Sequence, residues 1–294
     1  MKRFVTMFLV GVLAMPSLAG AQTAPHARTR GRRGRTTTAS SAPPPAATPA
    51  APELEPPAEA TPDSETLMQA IQAAAVSGPE GAAAISTVIL RGVSPRVAAA
   101  GLDALGVLAQ PIGTHAVLRF LEHRRPLLRR HAIAAAQAIH TPELVTAVSG
   151  RLSDSDENVR VEAAAALAEM GTAANVPALF AAFERDLEAT STPNSGRLLH
   201  ECGKAIARVG AEADVQRLLG FLRRAPFRSM SDAMRAALGR RDLPEPFRVR
   251  IVQAVGDLAT REVREFLNSV IADAHGSENA VTRAARTAAD RIAE

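Results

Sequence analysis

The chain holds one thiol, Cys202, and seven histidines, four of which fall between His115 and His140. A thiol nucleophile needs an activating base within hydrogen-bond reach. Cys202 instead occupies a recurring slot that it shares with Ala132 and Ala163, and such a slot predicts a packed, inert thiol. A helical zinc site places two His four residues apart with a Glu. His115 and His123 are eight apart, and His131 and His140 nine apart, so neither pair is a ready chelate. The sequence has no Gly-rich phosphate loop and no carboxylate pair in a distinctive setting. It therefore predicts no catalytic residue, no metal and no cofactor.

The slot that holds Cys202 belongs to a repeating helix. From Val159 onward the apolar residues Val159, Ala163, Ala166/Leu167 and Met170 form the stripe of one helical face. Moving back 31 residues gives Leu128, Ala132, Ala135/Ala136 and Ile139, and another 31 gives Val97, Gly101, Ala104/Leu105 and Leu108. Moving forward gives Leu198, Cys202, Ala205/Ile206 and Val209; then Phe247, Ile251, Ala254/Val255 and Leu258; then Val281, Ala285, Ala288/Ala289 and Ile292. Gly, Ala or Cys fills the second slot in five of these six copies, which predicts closely packed helices.

A second helix falls between copies. Val117, Val148 and Leu179 are 31 apart, as are Leu121, Leu152 and Phe183. Pro111, Pro142 and Ala173 stand at its start, where the missing N–H of a proline leaves no partner unpaired. Before Val159, Asp154 and Glu157 have the spacing of an N-cap and its reciprocal partner, and Asp156 and Arg160 that of an ion pair. Two stretches interrupt the period: Glu188 to Ser195, and Arg223 to Pro246, the latter with an extra helix expected over Ser231 to Arg240. An α-helical repeat accords with the composition, since Ala supplies much of the 47% hydrophobic content and aromatics are only 3%.

The run from Ser153 to Phe183 resembles a bacterial HEAT repeat of the short kind also found in phycobilisome lyases. The Asp154/Asp156 loop, Val159-Arg160, Ala163 to Leu167, Gly171 and Val176-Pro177-x-Leu179 carry the likeness, which extends more weakly over roughly Glu80 to Glu294. The resemblance implies an all-α, right-handed α-solenoid of about six helix-pair repeats, used mainly for protein binding. An Asp-to-Arg ladder between repeats would need Arg in each copy. The position of Arg160 reads Ala98, Arg129, Leu199, Arg248 and Thr282 elsewhere, so the ladder is expected to be broken. Tetratricopeptide repeats are excluded by the absence of Trp and Tyr.

Three regions follow. Met1–Ala21 has Lys2 and Arg3, an apolar run and Ala19-Gly20-Ala21, the pattern of a signal peptide cleaved before Gln22. The apolar run is short of the ~20 residues that span a bilayer. Gln22–Asp63 is rich in Pro, Ala, Ser and Thr and reads as a disordered linker. Ser64–Glu294 is the repeat region. Lys2 and Arg3 supply two of the four excess positive charges, and five Arg against four acids in the linker supply one more. The repeat region thus keeps a single excess charge. That charge, the expected export and the scarcity of stacking aromatics speak against nucleic acid as partner, and none is expected.

The candidate binding residues lie three, six and ten positions after Val159 and its equivalents. They are Asp103, His131, Glu162, Glu169, Glu201, Lys204, Arg208, Arg250, Gln253, Asp257 and Arg291. Acids dominate through Glu201 and bases from Lys204 onward, so a concave face built from them would orient a partner of opposite polarity. The expected function is a periplasmic or secreted scaffold that binds a protein and has no transmembrane span after signal cleavage. The alternative is an envelope-binding module in which Arg28, Arg30, Arg32, Arg33 and Arg35 dock on anionic polymer or lipid. A lyase-like or nucleic-acid-acting enzyme of the same fold ranks third.

Overall fold

The computed structural model describes residues 63–189, 195–274 and 276–292, all within the unit Pro57–Glu294. These residues form fourteen α-helices and, among the described residues, no strand. The helices are α1 (Ser64–Ala74), α2 (Gly78–Leu90), α3 (Pro95–Leu108), α4 (Thr114–Leu121), α5 (Pro126–Ile139), α6 (Pro142–Gly150) and α7 (Glu157–Met170). They continue with α8 (Val176–Glu188), α9 (Ser195–Val209), α10 (Glu212–Leu219), α11 (Phe227–Gly239), α12 (Glu245–Gly256), α13 (Arg261–Asp273) and α14 (Ala280–Arg291). Short 3-10 turns at Pro111–Gly113 and Ala173–Asn175 lead into α4 and α8.

The helices stack in two rows, joined where α2 meets α3, α4 meets α5, α6 meets α7 and α8 meets α9. The odd helices pack α1 on α3, α3 on α5 and so on through α11, with α13 following. The even helices form the second row, α2 beside α4, α4 beside α6, α10 beside α12 and α12 beside α14. The predicted stripes face the shared core: Leu128, Ala132, Ala135, Ala136 and Ile139 of α5 are buried, as are Val159, Ala163, Ala166, Leu167 and Met170 of α7. So are Val117, Val148, Leu179, Leu121, Leu152 and Phe183 of the second helix.

Small residues set the closest approaches. A Cβ on Gly106 of α3 would stand 3.4 Å from Ala135 Cα of α5, and one on Gly256 of α12 only 2.8 Å from Ala288 Cβ of α14. Gly106 and Gly256 hold the same register position, as do Ala135 and Ala288. The α12–α14 contact therefore repeats the α3–α5 contact, but in the even row instead of the odd one. Tight packing changes rows between α11 and α12.

The stretch Arg223 to Pro246 is not an insertion. Its helix α11 starts at Phe227, four residues before the expected Ser231, and packs on α9 as α9 packs on α7. Met230, Met234, Ala237 and Leu238 are buried and lie 32 residues after Leu198, Cys202, Ala205 and Ile206. They are a further copy of the stripe, with flexible Met234 in the slot that takes a small residue in five other copies and Ile251 in one.

The start of α7 also departs from expectation. Its N-cap is Asp156, which accepts from Val159 N–H at 3.0 Å. Asp154 accepts from Asp156 N–H at 2.9 Å and is held by Arg129. Arg160 turns away from Asp156 and donates to the carbonyls of Asp154 and Ser155 at 2.9 and 3.3 Å. A guanidinium with several donors satisfies two loop carbonyls at once, and the Asp156 carboxylate is already engaged as the N-cap.

Candidate functional site

The odd row presents a ridge of charged side chains, most of which reach the next helix. His131 of α5 meets Asp103 of α3, Nδ1 to Oδ1, at 2.6 Å. Arg130 of α5 lies 3.8 Å from Glu162 of α7. Arg208 of α9 grips Glu169 of α7 with two hydrogen bonds, at 2.5 and 2.9 Å. Lys204 and Glu201 pair within α9 at 3.8 Å, and His200 reaches Asp232 of α11 at 3.4 Å. Such pairs at the surface add little stability singly, but they hold long side chains in fixed positions across five helices.

The remaining candidates lie elsewhere. Arg250 and Gln253 of α12, with Asp257 just after it, line a groove against α10, where Arg250 pairs with Glu212 at 3.0 Å. Arg291 of α14 lies beside Gly256 of α12. Their register is that of the odd-row helices, but α12 and α14 stand in the even row. The eleven residues thus form two surfaces, Asp103 to Arg208 on one and Arg250 to Arg291 on the other. Within the first, acid and base meet at Glu169 and Arg208. The linker arginines, Arg28, Arg30, Arg32, Arg33 and Arg35, lie outside the described residues, as do the signal-like segment and its cleavage site.

Sequence patterns missed a second set of arginines. Arg151 donates to the Leu121 carbonyl at 3.1 Å, Arg185 to the Leu152 carbonyl at 2.7 Å, and Arg240 to the carbonyls of Ala207 and Gly210 at 3.0 and 2.5 Å. Each caps carbonyls of the preceding repeat, 30 to 33 residues earlier, where a cation suits the negative end of a helix. One rung of the Asp–Arg ladder also forms: Arg129, buried in α5, meets Asp154 at 2.5 Å. Its other nitrogen holds the carbonyls of His123 and Arg124 at 2.8 and 3.2 Å.

Cys202 is fully buried, and burial, with Asp186 next, raises its thiol pKa far above the ordinary range. Asp186 is itself buried at the end of α8. Burial and then Glu157 raise its carboxyl pKa, against Arg160, the Leu199 N–H and Arg185. The four clustered His go separate ways, and His115 is exposed on α4. His131 pairs with Asp103, His123 stacks on Phe120 at 5.7 Å, and His140 caps α5 in the left-handed conformation. No group of three metal-ligating side chains occurs among the described residues, and none of the described helices is long and apolar enough to cross a membrane.

Fold and surface together define an α-helical repeat protein, a stack of helix pairs with a period of about 31 residues. Residues 114–190, about a quarter of the chain, match the family described as HEAT repeats; α4 to α8 are a HEAT-repeat segment. No curated protein matches the sequence. Among solved structures, an engineered protein is 17% identical with a TM-score of 0.45; the likeness covers 80% of this chain and 66% of that one, just under two thirds. The complex of CpcE and CpcF of phycocyanin lyase from Nostoc sp. PCC7120 is 18% identical, with a TM-score of 0.44 and coverage of 81% and 98%. Human deoxyhypusine hydroxylase in complex with glycerol is 17% identical, with a TM-score of 0.29 and coverage of 78% and 98%.

Proposed function

We propose that the chain is an exported, non-catalytic scaffold that binds a protein partner through the ridge of α3, α5, α7 and α9. The observation that carries this is the cross-helix pairing of Asp103 with His131, Glu162 with Arg130, and Glu169 with Arg208. Side chains already held in place lose less freedom when a partner docks, and alternating charge selects partner and orientation more than it adds affinity. The basic, apolar and small-residue start of the sequence supports export. The mature chain then begins at Gln22, and N-terminal sequencing that returned Met1 on a soluble cytoplasmic chain would refute export.

The ridge is tested with a partner crosslinked in the native cell. Glu162→Arg with Glu169→Arg should weaken that partner at least tenfold and alter the salt dependence of binding. The exchange Glu169→Arg with Arg208→Glu restores an ion pair but inverts the pattern, so it should keep the melting temperature and lose affinity. Unchanged affinity in both variants would place the binding surface elsewhere.

A second function, docking of the chain on anionic envelope polymer or lipid, rests on the five arginines between Arg28 and Arg35. Deleting His26 to Arg35 should abolish a salt-sensitive envelope attachment under that function and leave partner binding intact under the first.

A further inference from the structure

Near the start of the stack, the turn between α2 and α3 faces the turn between α4 and α5 across a cleft of about 300 Å³. Its floor is apolar, with Leu90, Val93, Phe120 and Leu128. Its rim is cationic, with Arg119, Arg124, Arg125 and the His123 ring. No acidic residue lines it. Arg119, Arg124 and Arg125 make no ion pair among the described residues.

Three further features converge there. Both α3 and α5 open onto the cleft with their first turns, through Pro95 and Ala98 and through Arg125 and Leu128. Neither helix has a side-chain cap or an acid in its first turn, so the positive ends of both add to the arginines. Leu90 and Leu127, at the cleft and beside it, are 41% and 56% exposed. They are two of only five large apolar side chains so exposed among the described residues, and water-facing apolar side chains beside a pocket favour a docked ligand. The rim is also rigid, because buried Arg129 holds the carbonyls of His123 and Arg124.

We propose that this cleft binds an acidic segment of a partner protein. It seats a carboxylate among Arg119, Arg124 and Arg125 and a neighbouring aliphatic or aromatic side chain on Leu90, Val93 and Phe120. Arginine's planar fork suits a carboxylate, and the volume fits one carboxylate with one apolar side chain rather than an extended polymer or a membrane. Burial, then the nearby Arg124, Arg125 and Arg129, depress the His123 pKa, so the positive field of the rim reaches this ring. The proposal rests on the protein-binding function above but uses a different surface.

The test uses the mature chain and a fluorescein-labelled peptide, Gly-Ser-Leu-Glu-Phe-Glu-Ser-Gly. Saturable binding, a shift of the His123 ring signals on adding peptide, and at least tenfold weaker binding by Arg124→Glu with Arg125→Glu are expected. That variant changes exposed residues, and circular dichroism should show an unchanged melt. The peptide with Gln for both Glu should bind at least tenfold more weakly. Glu162→Arg with Glu169→Arg should bind the peptide normally, which separates failure of the ridge from failure of the cleft. Equal binding by the Gln peptide, no saturation by millimolar peptide, or cleft-dependent binding of phosphatidylglycerol vesicles without the peptide would each overturn the proposal.

Discussion

The buried guanidinium of Arg129 meets the carboxylate of Asp154 at 2.5 Å across the junction of two repeats, with both side chains less than a tenth exposed. It is the one buried rung of an Asp–Arg ladder among the described residues, and it also fixes the turn that carries His123 and Arg124. Breaking a buried pair leaves a charge without compensation, whereas replacing both partners by apolar groups is often neutral. Asp154→Ala should therefore cost roughly 3–5 kcal/mol in urea unfolding. Arg129→Met with Asp154→Leu should recover most of that loss while loosening the His123–Arg124 turn, seen as faster amide exchange there.

The contact of Gly256 with Ala288 sets the spacing of α12 and α14. A methyl at Gly256 would lie 2.8 Å from Ala288 Cβ, closer than packed carbons allow. Gly256→Ala should destabilise by roughly 1–3 kcal/mol despite the better helix propensity of Ala. Adding Ala288→Gly should return part of it, and a double-mutant cycle measures the coupling. Gly106→Ala, with 3.4 Å to Ala135 Cα, should cost less.

Two helices of the odd row end on residues that tolerate their backbone poorly. Ala109 closes α3 at φ 49° and His140 closes α5 at φ 54°. Glycine is the residue that adopts this left-handed conformation without a Cβ penalty. Ala109→Gly and His140→Gly should each stabilise by about 0.5–1 kcal/mol after the entropy of the added glycine is subtracted. Thermal melts should rise by a few degrees in both variants.

Asp186 gives the fold an acid-side pH dependence of unusual sign. Its folded pKa is raised, by burial and then Glu157, so the folded state holds this proton more tightly than the unfolded chain. Its contribution is therefore most favourable below the ordinary carboxylate range and is lost as pH rises through the raised folded value. Asp186→Asn keeps an acceptor for the Leu199 N–H. It should stabilise the protein at pH 7 and have little effect at pH 3, as read from urea midpoints at the two pH values.

Much of this architecture was legible because one-sided burial leaves a period. The stripes from Val97, Leu128, Val159, Leu198, Phe247 and Val281 all became buried helix faces. α11 escaped because Met230 and Met234 stand where five of the other copies alternate large and small. The change of rows at α12 left no trace in the sequence: Gly256 and Ala288 have the same register as Gly106 and Ala135, and register alone does not say in which row a helix stands. The arginines that cap carbonyls were invisible for another reason. Their partners, the carbonyls of Leu121, Leu152, Ala207 and Gly210, belong to the backbone and carry no side-chain signature. The candidate surface was divided by the same change of rows, which separated Arg250, Gln253, Asp257 and Arg291 from the residues between Asp103 and Arg208.

The central claim is that the ridge of α3, α5, α7 and α9 receives a protein partner. Site-specific photo-crosslinking in the native cell tests it most directly. The photoreactive residue would be placed at His131 or Glu162 on the ridge, and at exposed Thr146 or Gln216 in the even row. Discrete adducts with one and the same protein from both ridge positions, lost on combining Glu162 labelling with Glu169→Arg and absent from the even row, are the predicted result. Adducts of equal yield from Thr146 and Gln216, or none from the ridge while the even row captures the partner, would contradict it.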